Sequence, residues 1–149
     1  MPQAVTVLLI NDEKKLLILK RSNRVRTYKG MWGGVAGYIE ENEKPYQTAF
    51  KEIKEEVGLE NEDVELLNYL DPISFTDFYE GIRYDWEIFS FLFKIKKNNK
   101  IKIDWEHSEY RWIAPSQIKK FDTVPHFKEI VSKLLNIYGW GSFGGGEER

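Results

Sequence analysis

The sequence contains no cysteine among its 149 residues. This absence excludes disulfide bonds, thiol nucleophiles and zinc clusters built on cysteine. No apolar run approaches the roughly 20 residues that span a bilayer, and residues 1–12 lack the charged start and long apolar core of a secretory signal. We therefore expect a cytoplasmic protein without disulfides that does not act at a membrane.

The chain also lacks a strong excess of either charge. It has 22 Lys and Arg against 24 Asp and Glu, a net charge of −2 and a pI near 5.8, which argues against a general nucleic-acid binder. A hydrophobic content of 42%, with 15% aromatic residues, is enough for one substantial core. We expect a single domain over residues 1–138, a flexible glycine-rich tail over residues 139–149, and a small molecule as the partner. Whether the chain is a monomer or a homodimer is left open.

The most informative stretch runs from Gly37 to Leu59. Pro45 suits a first helical turn and Gly58 suits the residue just past a helix end, so a helix of about 13 residues is predicted between them. A step of roughly 100° per residue gives this helix an apolar face and a second face that carries three carboxylates. The carboxylate face contains Glu52, Glu55 and Glu56.

Like charges at these spacings cost an isolated helix about 0.2 to 0.5 kcal/mol per pair. A bound cation would offset that cost, and oxygen ligands without cysteine favour Mg²⁺, with Mn²⁺ as the alternative. The competing interpretation is a solvated acidic face on which Lys51 and Glu55 form an ordinary ion pair. The carboxylates alone do not decide between the two.

The wider spacing is more specific, because it resembles the Nudix box, G-x5-E-x7-R-E-U-x-E-E-x-G-U, where U is a bulky aliphatic residue. Eight of the nine fixed positions match between Gly37 and Leu59, and the box arginine is replaced by Lys51. The resemblance implies an α/β/α sandwich with a mixed β-sheet between helices, which also agrees with strands on both sides of the box helix. It further implies Mg²⁺-dependent hydrolysis of the pyrophosphate linkage of a nucleoside diphosphate derivative.

The same resemblance implies roles for individual residues. Glu52, Glu55 and Glu56 would hold the metal together with Gly37 at the start of the box. Glu52, Glu55 and Lys51 would take part in catalysis, as would a glutamate outside the box in the run WEHSEYRW. Either Glu106 or Glu109 could be that glutamate, and Glu109 is the one included among the predicted catalytic residues. We do not expect His107 to act as a base.

Two further groups are candidates for substrate binding. Arg21, Arg24 and Arg26 lie in a basic loop just before the box, where they would either contact phosphate or form a solvated connector. Phe78 and Tyr79 would either stack on a base or pack within a loop.

We favour a nucleoside triphosphate or a dinucleoside polyphosphate as the substrate. The alternatives are an ADP-ribose or nucleotide-sugar pyrophosphatase, a catalytically silent nucleotide-binding regulatory domain, and a protein-interaction module.

Hydrophobic periodicity predicts the remaining elements. Strands are expected at residues 5–10, 16–20, 64–70, 86–95, 101–105 and 110–113, and an amphipathic helix is expected from Pro125 onward. The stretch over residues 73–84 is expected to be an aromatic, acidic connection.

Overall fold

The computed structural model describes residues 2–96 and 101–136. Eight strands and two α-helices are formed there. The strands are β1 (Gln3–Ile10), β2 (Leu16–Arg21), β3 (Trp32–Gly33), β4 (Val35–Tyr38), β5 (Val64–Tyr69), β6 (Ile73–Tyr79), β7 (Ile82–Ile95) and β8 (His107–Ile113). The helices are α1 (Pro45–Val57) and α2 (Phe127–Asn136), and short 3₁₀ turns cover Asn61–Asp63 and Pro115–Lys120.

Strand β1 lies at the centre of a mixed sheet. It runs parallel to β7 and antiparallel to β2 and β4. Strand β7 is long enough for its two halves to pair with different strands, β6 at its N-terminal end and β5 at its C-terminal end. On the far side, β2 pairs with β3 and β8. The predicted mixed sheet is confirmed.

Both faces of the sheet are covered, because the side chains of β1 alternate between two cores. Val5, Val7 and Leu9 pack in the core that contains α1. Leu8 and Ile10 pack in the core that contains α2. The result is the predicted sandwich of a sheet between helices.

The box helix has the predicted bounds. Pro45 begins it, and the Lys44 backbone N–H is satisfied by Gln47 Oε1 at 3.0 Å. At the other end Gly58 has φ = +77° and donates its N–H to the Lys54 carbonyl, a left-handed cap that glycine adopts without steric cost. These two ends fix which residues belong to the helix, and therefore which of them lie on the carboxylate face near β4.

Two of the predicted elements were wrong. Residues 101–104 form no strand: Ile101 is buried, but Trp105 is 53% exposed in a turn that leads into β8. Residues 73–79, expected to be a connection, form strand β6, because their alternating exposed and half-buried side chains pair with β7. The predicted tail over residues 139–149 lies outside the described residues, and no described helix is long and apolar enough to cross a bilayer.

Candidate active site

The site begins where β4 meets the box helix. A Cβ atom at Gly37 would lie 2.4 Å from Cδ and 2.5 Å from Oε2 of Glu52, so only glycine leaves room for this carboxylate against the strand. Glu52 projects from α1 one turn before Glu56. The first glycine of the box is therefore a packing requirement of the first glutamate of the helix.

Glu56 is a fully buried carboxylate, with 1% of the residue exposed. Its Oε1 accepts the Ala36 backbone N–H at 3.2 Å. Its Oε2 is buried and has no hydrogen-bond partner among the described residues. A buried carboxylate oxygen without a donor is costly, so the site is built for a positive partner or for a proton.

Two other carboxylates surround Glu56. Burial raises the pKa of Glu52 to about 7, and the neighbouring Glu55 carboxylate adds to the effect. Burial, followed by repulsion from Glu106 and Glu52, raises the pKa of Glu56 well above its ordinary value. Burial and the nearby Asp104 raise the pKa of Glu106. Burial and mutual repulsion therefore disfavour the charged forms of these carboxylates, and a divalent cation would offset that effect.

A tight turn before β8 brings Glu106 to this cluster. Asp104 Oδ1 accepts the Glu106 backbone N–H at 3.2 Å and lies 3.3 Å from His107 Nδ1. The His107 backbone N–H is donated to the Asp104 carbonyl at 3.2 Å. The His107 ring is buried with Nε2 3.6 Å from Glu56 Oε1, and burial lowers the pKa of this imidazole. One aspartate thus orders a turn that presents both a carboxylate and an imidazole to Glu56.

These residues fit a hard divalent cation. The buried Glu56 oxygen without a donor and the space that Gly37 leaves for Glu52 are the observations that support the fit. Across the described residues, no three His, Cys, Asp or Glu side chains converge as a complete ligand set. Mg²⁺ requires no such set, because it usually combines one or two carboxylates with water and substrate phosphates.

Lys51 occupies the box arginine position and lies near three carboxylates. Its ammonium lies 2.7 Å from Glu43 Oε2, 3.9 Å from Glu40 Oε1 and 4.0 Å from Glu52 Oε2. The hydrogen bond from Lys51 lowers the pKa of Glu43 to about 2, with help from the Glu40 backbone and the Thr48 hydroxyl. The lysine therefore joins the loop glutamate of the box to the helix, and its contact with Glu52 is the weakest of the three.

A cavity of about 690 Å³ opens beside the cluster. Gly37 and Glu106 line it at the carboxylate end, and Tyr38 and Trp86 form an aromatic wall with ring centroids 5.8 Å apart. This volume lies in the range of small-molecule sites. Its lining joins an apolar, aromatic body to a charged end, a combination that suits a nucleotide.

All three predicted arginines line this cavity. Arg21 is half-buried and donates to the Thr27 carbonyl at 2.8 Å and to the Thr27 hydroxyl at 3.2 Å. Arg24 lies over the exposed ring of Trp105, 5.6 Å from the ring centroid. Arg26 is exposed beside the cavity. Arg24 and Arg26 are therefore placed to meet a ligand, while Arg21 holds the loop.

The other predicted residues do not line the cavity. Glu55 is exposed and interacts electrostatically with Glu52 and Glu106. Glu109 is on β8 and accepts from Arg111 Nε at 2.8 Å. Phe78 is exposed on β6, and Tyr79 packs on the Tyr28 ring; neither is in the cavity lining.

Of the two glutamates in WEHSEYRW, the geometry brings Glu106 rather than Glu109 to the box carboxylates. The sequence carried a signal for this turn, since Asp104 is two residues before Glu106 and aspartate commonly accepts the backbone N–H two residues on. The aromatic wall had no such signal, because Tyr38 and Trp86 are brought together only by the sheet.

Comparisons with known proteins agree with this geometry. A family model described as the NUDIX domain matches residues 1–134. An RNA pyrophosphohydrolase of Hydrogenovibrio crunogenus is 43% identical over 63 residues, which are 42% of this chain and only 35% of that protein. The nucleoside triphosphatase NudI of Escherichia coli is 24% identical over 121 residues, or 76% of this chain and 83% of NudI.

A solved structure, the Ap4A hydrolase of C. elegans in a binary complex, superimposes with a TM-score of 0.76 at 15% identity and covers 93% of this chain and 98% of that one. At this identity the likeness concerns the fold. The family model, by contrast, spans nearly the whole described region and includes the box with its carboxylate cluster. The chain belongs to the NUDIX family of hydrolases.

Proposed function

We propose that this protein is a Mg²⁺-dependent pyrophosphohydrolase whose substrate is a nucleoside triphosphate or a dinucleoside polyphosphate. The observation that carries the proposal is the buried Glu56 oxygen without a donor, with Glu52 and Glu106 near it. Glu106 also lines the neighbouring nucleotide-sized cavity. The fully buried carboxylate destabilises the fold unless it is neutralised. A cation that the reaction uses would neutralise it.

Each group of the site has a role in this proposal. One or two of the carboxylates Glu52, Glu56 and Glu106 would hold the cation together with water and substrate phosphate. When bound, the cation supplies neutralisation of phosphate charge and acidification of water. Glu55 is exposed on the same helix face, so its carboxylate is free to accept the proton of the attacking water. Water forms a bond to phosphorus, and the bridging oxygen leaves with its electron pair. The buried His107 ring, whose pKa is lowered by burial, packs behind Glu56 and excludes solvent there.

The choice of substrate rests on the cavity. Tyr38 and Trp86 supply a flat apolar surface for a base. Arg24 and Arg26 bring two positive charges to a protein of net charge −2, which matches the charges of a polyphosphate better than a neutral sugar. The similarity to NudI, a nucleoside triphosphatase, supports the same class.

A second candidate is the 5′-triphosphate end of an RNA. It is favoured by the 43% identity to an RNA pyrophosphohydrolase, although that match spans 63 residues. The cavity chemistry is common to both substrates, since each presents a base next to a polyphosphate.

A substrate panel tests the proposal. Purified protein would be given nucleoside triphosphates, dinucleoside polyphosphates, ADP-ribose, a nucleotide sugar and a 5′-triphosphorylated oligonucleotide, each with Mg²⁺ or with EDTA, and the products would be resolved by chromatography. We expect Mg²⁺-dependent cleavage of a phosphoanhydride, fastest for the first two classes. Turnover that persists in EDTA, or no turnover of any phosphoanhydride, would contradict the proposal.

A further inference from the structure

The basic loop that precedes the box is an arch fixed at its base. We define the arginine arch as residues 22–29. Below it, the Arg21 N–H is donated to the Met31 carbonyl and the Gly30 N–H to the Arg21 carbonyl, each at 2.9 Å. These two hydrogen bonds pair the backbone on either side of the arch in an antiparallel arrangement, so the two ends of the arch are held together.

The N-terminal end of the arch, its first foot, is attached to the turn before β8 that Asp104 orders. The Ser22 N–H is donated to the Glu106 carbonyl at 2.8 Å, and its hydroxyl is donated to the Trp105 carbonyl at 2.9 Å. The same hydroxyl accepts the Arg24 N–H at 3.2 Å. Ser22 is buried. This foot therefore fixes where the arch leaves the carboxylate site.

The second foot rests on a distant hairpin. The Tyr28 hydroxyl donates to Asp77 Oδ2 at 2.7 Å and accepts Trp86 Nε1–H at 3.3 Å. Burial, with the Asp77 hydrogen bond, raises the pKa of Tyr28 to about 12, so the hydroxyl remains a donor. Asp77 is on β6, 49 residues along the chain, and Trp86 is on the paired strand β7.

Tyr28 takes an unfavourable backbone conformation at this foot. Its φ is +54°, a left-handed value that is uncommon for a residue with a large side chain. The residue is nevertheless only 8% exposed, and its ring packs against Tyr79 with ring centroids 5.0 Å apart. The side-chain contacts of Tyr28 therefore stabilise a left-handed backbone conformation that the residue would not favour without them.

We propose that the Tyr28–Asp77 hydrogen bond is a clamp that fixes the arginine arch in its substrate-binding form. Arg24 and Arg26 lie between the two feet and line the cavity, while Arg21 supports the arch from beneath through Thr27. Tyr28 and Asp77 are thus positioning residues for substrate affinity. The assignment of a substrate role rests on the proposed function; the clamp itself does not.

If the clamp is broken, KM and kcat are expected to respond differently. The carboxylate cluster is held by α1, β4 and the turn at Asp104, and none of these requires the Asp77 side chain. Loss of the clamp therefore releases Arg24 and Arg26 without displacing the carboxylates. KM is expected to rise and kcat to stay nearly constant.

Asp77→Ala tests this, and the same hairpin offers a matched control. Asp85 is also an aspartate, and its side chain accepts hydrogen bonds from Thr76 and Arg83, which both lie outside the arch. We expect Asp77→Ala to raise KM by about fivefold or more, the scale of one lost hydrogen bond, with kcat within about twofold. Asp77→Asn, whose amide oxygen can still accept from Tyr28, should restore most of the affinity, and Asp85→Ala should match the parent.

A second readout does not require activity. Trypsin cleaves after arginine, and Arg24 and Arg26 are exposed, so cleavage in the arch reports how often the backbone opens. Fragments ending at Arg24 or Arg26 should appear faster from Asp77→Ala than from Asp85→Ala. Tyr28→Phe keeps the ring and removes only the hydroxyl, so it should behave like Asp77→Ala, and the double variant should be no worse than either single one.

These measurements test the proposed function and the clamp separately. An inactive parent would refute the proposed function and leave the proteolysis comparison as the test of the clamp. Unchanged KM in both Asp77→Ala and Tyr28→Phe, or equal arch cleavage in Asp77→Ala and Asp85→Ala, would overturn the clamp.

Discussion

Replacing Gly37 with alanine tests the packing of the box glycine against the first helix glutamate. The added Cβ would lie 2.4 Å from Glu52 Cδ, and ordinary contact begins at about 3.4 Å, so the carboxylate must move by about 1 Å. The Gly37 backbone is not left-handed, and Glu52 is a flexible side chain, so the fold can absorb the change. A 1 Å misplacement of a catalytic group can cost about 10²-fold in rate. We predict a loss of about that size in kcat with little change in Tm.

A second glycine provides the contrast. A Cβ at Gly34 would lie 2.4 Å from the Val7 carbonyl oxygen, in the central strand, where backbone has no room to move. Gly34→Ala is therefore expected to lower stability by about 1–3 kcal/mol, as overpacking does. Steady-state kinetics with thermal unfolding would separate the two variants. A well-folded Gly37→Ala enzyme with activity within threefold of the parent would refute the packing argument.

Two further predictions concern the basic residues. Lys51→Met should reduce kcat/KM by roughly tenfold because Glu43 loses its positively charged partner. Lys51→Arg should be neutral or mildly activating because the guanidinium can bind two oxygens at once. Equal kinetics for Lys51→Met and the parent would show that Lys51 has no role in catalysis. Arg24→Ala and Arg26→Ala should each raise KM severalfold at low salt, whereas Arg21→Ala should also lower Tm because that guanidinium supports the arch. Three variants that differ from the parent in Tm alone would contradict a substrate role for the loop.

The box could be predicted from the sequence because its chemistry is local. Pro45 and Gly58 fix the helix ends, and one helical turn sets Glu52 beside Glu56. Glu106 reaches the box carboxylates because the Asp104 side chain orders the turn before β8. Residue spacing alone could not show whether Glu106 or Glu109 would take this position. Residues 101–105 were predicted to form a strand because their apolar residues alternate with polar ones, but no strand forms there and Trp105 lies in a turn.

Contacts between distant segments lay beyond the sequence patterns. Tyr28 meets Asp77 and Trp86 only because β6 folds back on β7 beside the loop. The same hairpin carries Phe78 outward and Tyr79 onto Tyr28, away from the cavity lining where a stacking role was predicted. No periodicity along one segment encodes such pairings.

We expect Glu56 and its neighbours to form a divalent-cation site that the reaction uses. The most direct measurement is a titration of metal-stripped protein with Mn²⁺, followed by electron paramagnetic resonance of the free ion, on the parent and on Glu56→Gln. We predict saturable binding by the parent, binding weakened by at least about tenfold in Glu56→Gln, and a kcat lower by at least about 10²-fold in that variant while its fold is retained. Equal Mn²⁺ binding by the two proteins, or a folded Glu56→Gln enzyme with near-normal turnover, would contradict the claim.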